Sequence, residues 1–191
     1  WKWVAILVLI ISPFMLTVYA GVALAYRSQY TLPFVIAVGF VYLTSIMDLY
    51  SRKIISWVLS DTLETKWVVE AVNKAKKVRN VSKPLILHSD RGRQYTAKDY
   101  ADATSGMTLS YSKKAYPWDN ACIESFHSLL KREWINRFKI TDYNHAYKLI
   151  FKYIEAFYNT VRIHSHCDYV SPNEYEKKYW IKLRQMEINV A

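Results

Sequence analysis

The sequence predicts an α/β fold: one mixed sheet flanked by helices and preceded by a hydrophobic helical N-terminal segment. Three observations carry this. The chain has 191 residues, enough for one ordinary domain with a core of its own. Short β-branched and aromatic runs alternate with amphipathic stretches from Gly39 onward. Upstream of Gly39 the text is almost uncharged, and the first carboxylate of the chain is Asp48.

No residue from Trp3 to Tyr26 is charged. That run is long enough to cross a bilayer as a helix, for which about 20 residues suffice. It holds Pro13, which a membrane helix tolerates better than a soluble one. Three readings compete for it: a membrane anchor, a signal peptide ending near Ala23-Leu24-Ala25, and foreign sequence joined by truncation or a frameshift. Lys2 and Arg27 at its flanks give little orientation signal.

FVYLTSIMD and RKIISWVLS then read as strands joined by a polar turn around Leu49-Tyr50-Ser51. In TKWVVEAVNKAKKVRN, helical spacing puts Trp67, Val68, Ala71, Val72 and Ala75 on one face and lysines opposite. Pro84 ends the connection, and LILH is a short buried strand. A short helix near Ala97 to Ala103, a strand TLSYS and two long helices follow, about Asn120 to Phe138 and Asp142 to Arg162. Such an order suits a mixed sheet with helices packed on it. The expected organisation is a hydrophobic segment over 1–38, a globular unit over 39–180 and a tail over 181–191.

Composition narrows the function. Twenty-six Lys and Arg against sixteen Asp and Glu give a formal charge of +10 and a pI near 9.5. That favours polyanionic partners, nucleic acid first and an anionic membrane surface second, although many proteins are basic for solubility alone. Cys122 and Cys167 make no disulfide framework and suit a reducing compartment. The glycines Gly21, Gly39, Gly92 and Gly106 build neither GxGxxG nor GxxxxGK[ST], so nucleotide-cofactor and ATPase chemistry falls away.

Two carboxylates stand out. In LILHSDRGRQY an apolar strand delivers Asp90 at its C-terminal end and Gly92 lets the chain turn at once, the place where open α/β sheets bind ligands. An isolated Asp in that position is more often an ordinary turn residue. In YPWDNACIESFH a helix starts near Asp119 or Asn120, with Glu124 in its first two turns. Ile123, Phe126 and Leu130 face the core, and Glu124, Ser128 and Lys131 form a neighbouring polar stripe. A Glu and a Lys so spaced usually make a solvated pair. They can also hold a metal ion and a phosphate. Phosphodiester chemistry with Mg²⁺ needs such acids from separate segments.

Four segments in order, YLTSIMDLYSRKIISW, HSDRGRQY, YPWDNACIESFHSLLKREW and YIEAFYNTVRIHSHCDYVSPNEY, resemble the catalytic region of insertion-sequence transposases of the retroviral-integrase type. The likeness runs from about Gly39 to Tyr179. It implies a ribonuclease H-like fold with an Asp-Asp-Glu triad, Mg²⁺ or Mn²⁺ as cofactor, transposon-end and target DNA as partners, a homo-oligomer when complete, and a cytoplasmic, nucleoid-associated location. On the matching motifs Asp90 is the second acid and Glu124 the third, both metal ligands. Thirty-three residues, Arg91 to Ile123, separate them, slightly fewer than is typical.

The family's first Asp should fall near Tyr30, where RSQYTLPFVIAV has no acid. Asp48 ends the following strand, where its expected part is to hold a turn. Loss of catalysis is therefore expected. Lys113, Lys114, Lys131, Arg132 and Arg137 are the expected phosphate contacts. Asn159, Arg162 and His164 match family positions that suggest a closing motif for the last helix. His88 reads as a packed, hydrogen-bonded histidine, and His164, His166 and Cys167 make a poor zinc site. Two rival functions remain: a non-catalytic DNA-binding remnant, and a protein of other function tethered to a membrane through residues 3–26.

Overall fold

The computed structural model describes residues 5–11, 34–36, 39–79, 85–113 and 117–188. Its centre is a sheet of six strands: β1 (Ala5–Ile11), β2 (Phe34–Ile36), β3 (Gly39–Asp48), β4 (Ile54–Ser60), β5 (Leu85–Ser89) and β6 (Thr108–Tyr111). The order across the sheet is β4-β3-β1-β5-β6, with β2 paired to the start of β3. β3 runs antiparallel to β1, β2 and β4, whereas β5 runs parallel to β1 and β6. The parallel strands are joined by long crossovers, as parallel pairing requires. The antiparallel β3–β4 pair closes through a short turn that the left-handed backbone of Arg52 (φ 60°) completes.

Helices cover both faces. On one, α1 (Thr65–Val78) buries Val68, Ala71, Val72 and Ala75 against Ile46, Ile55, Val58, Leu85 and Leu87, beside α2 (Lys98–Ala103). On the other, α3 (Ala121–Leu129) and α4 (Tyr143–Phe151) cover Val41, Leu43, Met47 and Leu59. Both continue as wide π-helical turns, Leu130–Trp134 and Lys152–Tyr158. Ile123, Phe126 and Leu130 are fully buried, as their spacing predicts.

Two elements differ from the sequence reading. Residues expected in a hydrophobic helix contain a strand: Ala5–Ile11 lies between β3 and β5 as the central strand. A run of apolar residues cannot by its periodicity distinguish a doubly covered strand from a buried helix. The remainder of 1–38, apart from β2, lies outside the described residues, Tyr30 included. No helix among the described residues is long and apolar enough to cross a membrane. Second, a further helix, α5 (Pro172–Ile188), follows the two predicted ones.

The β3–β4 turn explains Asp48. Its Oδ1 accepts the amides of Tyr50 (2.8 Å) and Ser51 (3.2 Å), and its Oδ2 pairs with Arg79 at 3.2 Å. Arg79 also pairs with Glu176 of α5, as does Lys53 at 2.8 Å. Asn159 closes the outer edge of β4: its Oδ1 accepts the Ile54 amide (2.9 Å) and its Nδ2 donates to the Ile54 carbonyl (3.0 Å). Asn159 thus supplies both hydrogen bonds that a further strand would make at that residue, which also discourages edge pairing.

Candidate active site

Strand alternation decides which face of the sheet Asp90 joins. Leu85, Leu87 and Ser89 are buried, the leucines against α1, so Ile86 and His88 lie on the α3 side and Asp90 follows them two residues on. Asp90 is half-buried. Its Oδ1 accepts the Gly92 amide at 2.7 Å. A Cβ at Gly92 would stand 2.9 Å from that oxygen and 3.0 Å from Gln94 Oε1, so this close turn requires glycine. His88 is held between two hydroxyls of β6 and its extension, Ser110 Oγ at 2.9 Å and Ser112 Oγ at 3.2 Å. This matches the packed, bonded histidine that the sequence suggests.

Glu124 sits half-buried in the first turn of α3. Burial raises its carboxyl above the ordinary range, and the charge of Asp90 raises it further. Asp90 is raised too, by burial, against the opposing effects of the Gly92 amide and His88. The two acids are thus electrostatic neighbours. Neither takes part in the ion pairs among the described residues. Burial disfavours the charged form of each carboxylate, and the charge of Asp90 disfavours that of Glu124 further.

One turn further along α3, the fully buried His127 reaches Ser45 Oγ on β3 at 3.3 Å; burial first, and Lys131 second, pull its pKa down to about 3. Ser45 is paired with Ile10 of β1. Continued two residues beyond the Val8–His88 pair, the parallel register sets the backbone of Ile10 level with Asp90. The central-strand position beside the acid pair is therefore an isoleucine. Tyr30, near which the sequence suggests the family's first acid should fall, lies outside the described residues.

The basic residues expected at the site are spread around it. Lys131 is half-buried in the turn after α3, and burial pulls its pKa down to about 8. Arg132 and Arg137 are exposed on the same continuing helix, and Lys113 is exposed after β6, its amide donating to Asp119 Oδ2 at 2.9 Å. Lys114 lies outside the described residues. Arg91 and Arg93, flanking Gly92, are exposed cations that the sequence reading passed over. Their place next to Asp90 was the available signal.

Asn159, Arg162 and His164 lie at and just beyond the end of the helical continuation of α4, before α5. Arg162 grips Glu133 with two hydrogen bonds, 2.9 and 2.7 Å, and His164 stacks edge-on against Tyr158. Cys167 is buried, its thiol pushed up to about 11 and donating to the Ser51 carbonyl, while His166 Nε2 meets the Tyr50 carbonyl at 3.1 Å. No group of three His, Cys, Asp or Glu among the described residues is arranged to hold a metal ion.

Sheet order, helix layers and the end-of-strand acid define the ribonuclease H-like class of α/β folds, and solved integrases share it. The catalytic core of BIV integrase aligns with a TM-score of 0.59 at 14% identity over 92% of this chain and 97% of that one. The HTLV-2 integrase catalytic core in complex with magnesium, in its trimeric form, gives 0.56 at 11% over 90% and 95%. A chain of the simian T-cell lymphotropic virus intasome in complex with PP2A regulatory subunit B56 gamma gives 0.62 at 12% over 90% and 53%.

Sequence relatives are nearer. Residues 27–117 and 105–172 each match an integrase core domain family. The transposase for insertion sequence element IS904 of Lactococcus lactis subsp. lactis (strain IL1403) is 41% identical over 141 residues, 73% of this chain and 56% of that protein. Transposase InsF for insertion sequence IS3A of Escherichia coli (strain K12) is 36% identical over 142 residues, 73% and 49%. The chain belongs to the integrase-core family of insertion-sequence transposases. It spans about half the length of the curated relatives it matches.

Proposed function

We propose that this chain is a transposase catalytic core that binds DNA and one divalent cation but by itself performs little or no strand transfer. Asp90 and Glu124 would hold the cation, and Lys113, Lys114, Lys131, Arg132 and Arg137 would contact phosphates. The functional unit would be residues 39–180 together with β1. The observation that carries the reading is Ile10, level with Asp90 on the strand between β3 and β5.

The donor set fits one cation. Mg²⁺ is commonly held by one or two carboxylates, with water and phosphate oxygens filling its octahedron. Two cations about 3.5–4 Å apart would need more carboxylates than this pair. Bound at Asp90 and Glu124, Mg²⁺ or Mn²⁺ would activate an oxygen nucleophile or stabilise a leaving oxygen at a phosphodiester. The protein's own residues prepare the place. The Gly92 amide fixes one oxygen of Asp90, His127 and Ser45 tie α3 to the sheet, and half-buried Lys131 keeps positive charge beside the polar stripe.

The test is metal-dependent nicking of duplex DNA by this chain beside Ile10→Asp. Cutting by the variant alone, abolished again by adding Glu124→Gln, is the expected result. Cutting by both would mean that another group completes the site, and the account of the lost acid would fall. If neither cuts while both bind DNA with steep salt dependence, a non-catalytic DNA-binding role gains.

A further inference from the structure

Arg91 stands between Asp90 and Gly92, yet it pairs neither with Asp90 nor with any other acid among the described residues. Its guanidinium is committed elsewhere. The parallel register pairs Ser89 with Tyr111, and one residue further on the Ser112 amide donates to the Ser89 carbonyl at 2.9 Å. In a parallel ladder a residue that donates to the neighbouring strand also turns its carbonyl towards it. The amide two residues beyond the acceptor would then meet that carbonyl, and here that residue is Arg91. Its side chain takes the place: Nε donates to the Ser112 carbonyl at 3.0 Å.

The support is firm. Ser112 is buried, and its Oγ lies 3.2 Å from His88 Nε2 and 3.4 Å from the Ser89 carbonyl. The guanidinium is thereby pinned at the carboxyl ends of β5 and β6, where open α/β sheets bind ligands. Its Nη groups meet no acceptor among the described residues. Held through Nε, the guanidinium keeps its Nη edge for a ligand, and that edge matches two oxygens of a phosphate. The acids about this strand end are Asp90, Glu124 and Asp119, whose Oδ2 accepts the Lys113 amide at 2.9 Å. They oppose an anion until a divalent cation offsets Asp90 and Glu124. Arg93, two residues on, is differently placed: it lines an open cleft with Glu64 and Asp99.

We propose that Arg91 is a phosphate-binding residue of the acid-pair site, its Nη groups holding a DNA phosphate beside the cation, and that the contact forms only when the cation is bound. The inference rests on the reading of Asp90 and Glu124 as cation ligands. It gives the two neighbours in the sequence separate tasks: Asp90 takes the metal, and Arg91 takes phosphate oxygens that the metal leaves free.

The test uses the full chain and fluorescence anisotropy of a labelled duplex, titrated without divalent cation and again with Mn²⁺. Arg91→Gln carries its amide nitrogen as many bonds from the backbone as Nε, so the Ser112 carbonyl keeps a donor while the charge and the fork are lost. Circular dichroism and the melting temperature check that the variant folds. Mn²⁺ should tighten duplex binding by the parent chain, and Arg91→Gln should reduce that gain by about tenfold. Without the cation its affinity should change less than about twofold. Arg91→Lys should recover little of the gain, since an ammonium cannot hold the Ser112 carbonyl and present a fork together. A gain that survives Arg91→Gln overturns the proposal and leaves Arg91 as a clip for the strand ends. Full recovery by Arg91→Lys overturns it too, because charge alone would suffice. An equal loss with and without Mn²⁺ would make Arg91 a phosphate contact independent of the acid pair, and the proposal would fall while the cation reading stands. If Mn²⁺ gives the parent no gain, the cation reading fails and Arg91 falls with it.

Discussion

At the turn end of the sheet, Asp48 and Glu176 share Arg79, Lys53 binds Glu176, and two backbone amides occupy Asp48. Beneath the continuing helices, Glu133 takes two hydrogen bonds from Arg162 and a third from the Tyr153 hydroxyl at 2.8 Å. At the other end of the sheet, Asp90 and Glu124 take no part in any ion pair of the described residues; burial raises the proton affinity of both, and Asp90 raises that of Glu124 further. Acids that hold a fold together are matched within the chain. Acids left half-buried beside one another cost stability in their charged forms.

Substitutions at the two kinds of site can break or sharpen that contrast. The largest effect is expected at the closed edge: Asn159→Ala leaves both polar groups of Ile54 without their partner on the outer side of β4. Loss of about 3 kcal/mol is expected in urea denaturation, and a change below about 1 kcal/mol would show that water replaces the side chain.

Next comes Glu133→Gln, which weakens the grip of Arg162. The pair is about a quarter exposed, so solvent screening limits the expected loss to about 1–2 kcal/mol at neutral pH. The hydrogen bonds from Arg162, ahead of that from Tyr153, hold Glu133 below its usual range. Its contribution is therefore present above the ordinary glutamate pKa and lost as pH falls through the lowered value. Melting temperatures of variant and parent should converge in acid; a gap that persists there would point to packing instead.

The smallest change carries the opposite sign. Burial, then Asp90, holds Glu124 above its usual range, so stability falls as pH rises from the unfolded value through the raised one. Glu124→Gln should stabilise the cation-free chain at neutral pH by about half a kcal/mol after allowance for solvent, and leave it unchanged in acid. The same variant should lose any rise in melting temperature that Mn²⁺ gives the parent. Destabilisation at neutral pH would put Glu124 among the acids that hold the fold.

Much of this was legible beforehand because the signals are local. β3, β4, α1, β5 and the two long helices follow from spacing and turn residues, and Asp90 and Glu124 stood out once four motifs fell in order. Ile123, Phe126 and Leu130 are buried where a helical period places them. The central strand was missed because its neighbours, Thr44 to Asp48 and Leu85 to His88, are distant in sequence, and no local rule selects pairing over helix for AILVLII. α5 was missed because its docking partners are distant in sequence: Glu176 pairs with Arg79 and Lys53, and Tyr175 and Tyr179 pack against Tyr50.

By itself the sequence determined the basic charge, the family motifs, the absence of an acid before Asp48 and two candidate acids, Asp90 and Glu124. Those are matters of composition and order, which no folding changes. Only the tertiary structure decided that Ile10 stands level with Asp90, that Asp48 belongs to a turn, that Asn159 seals the edge of β4, and that the Arg91 side chain holds the Ser112 carbonyl just beyond β6. Each depends on strand register or on a contact between distant segments, set by which surfaces bury one another rather than by neighbours along the chain.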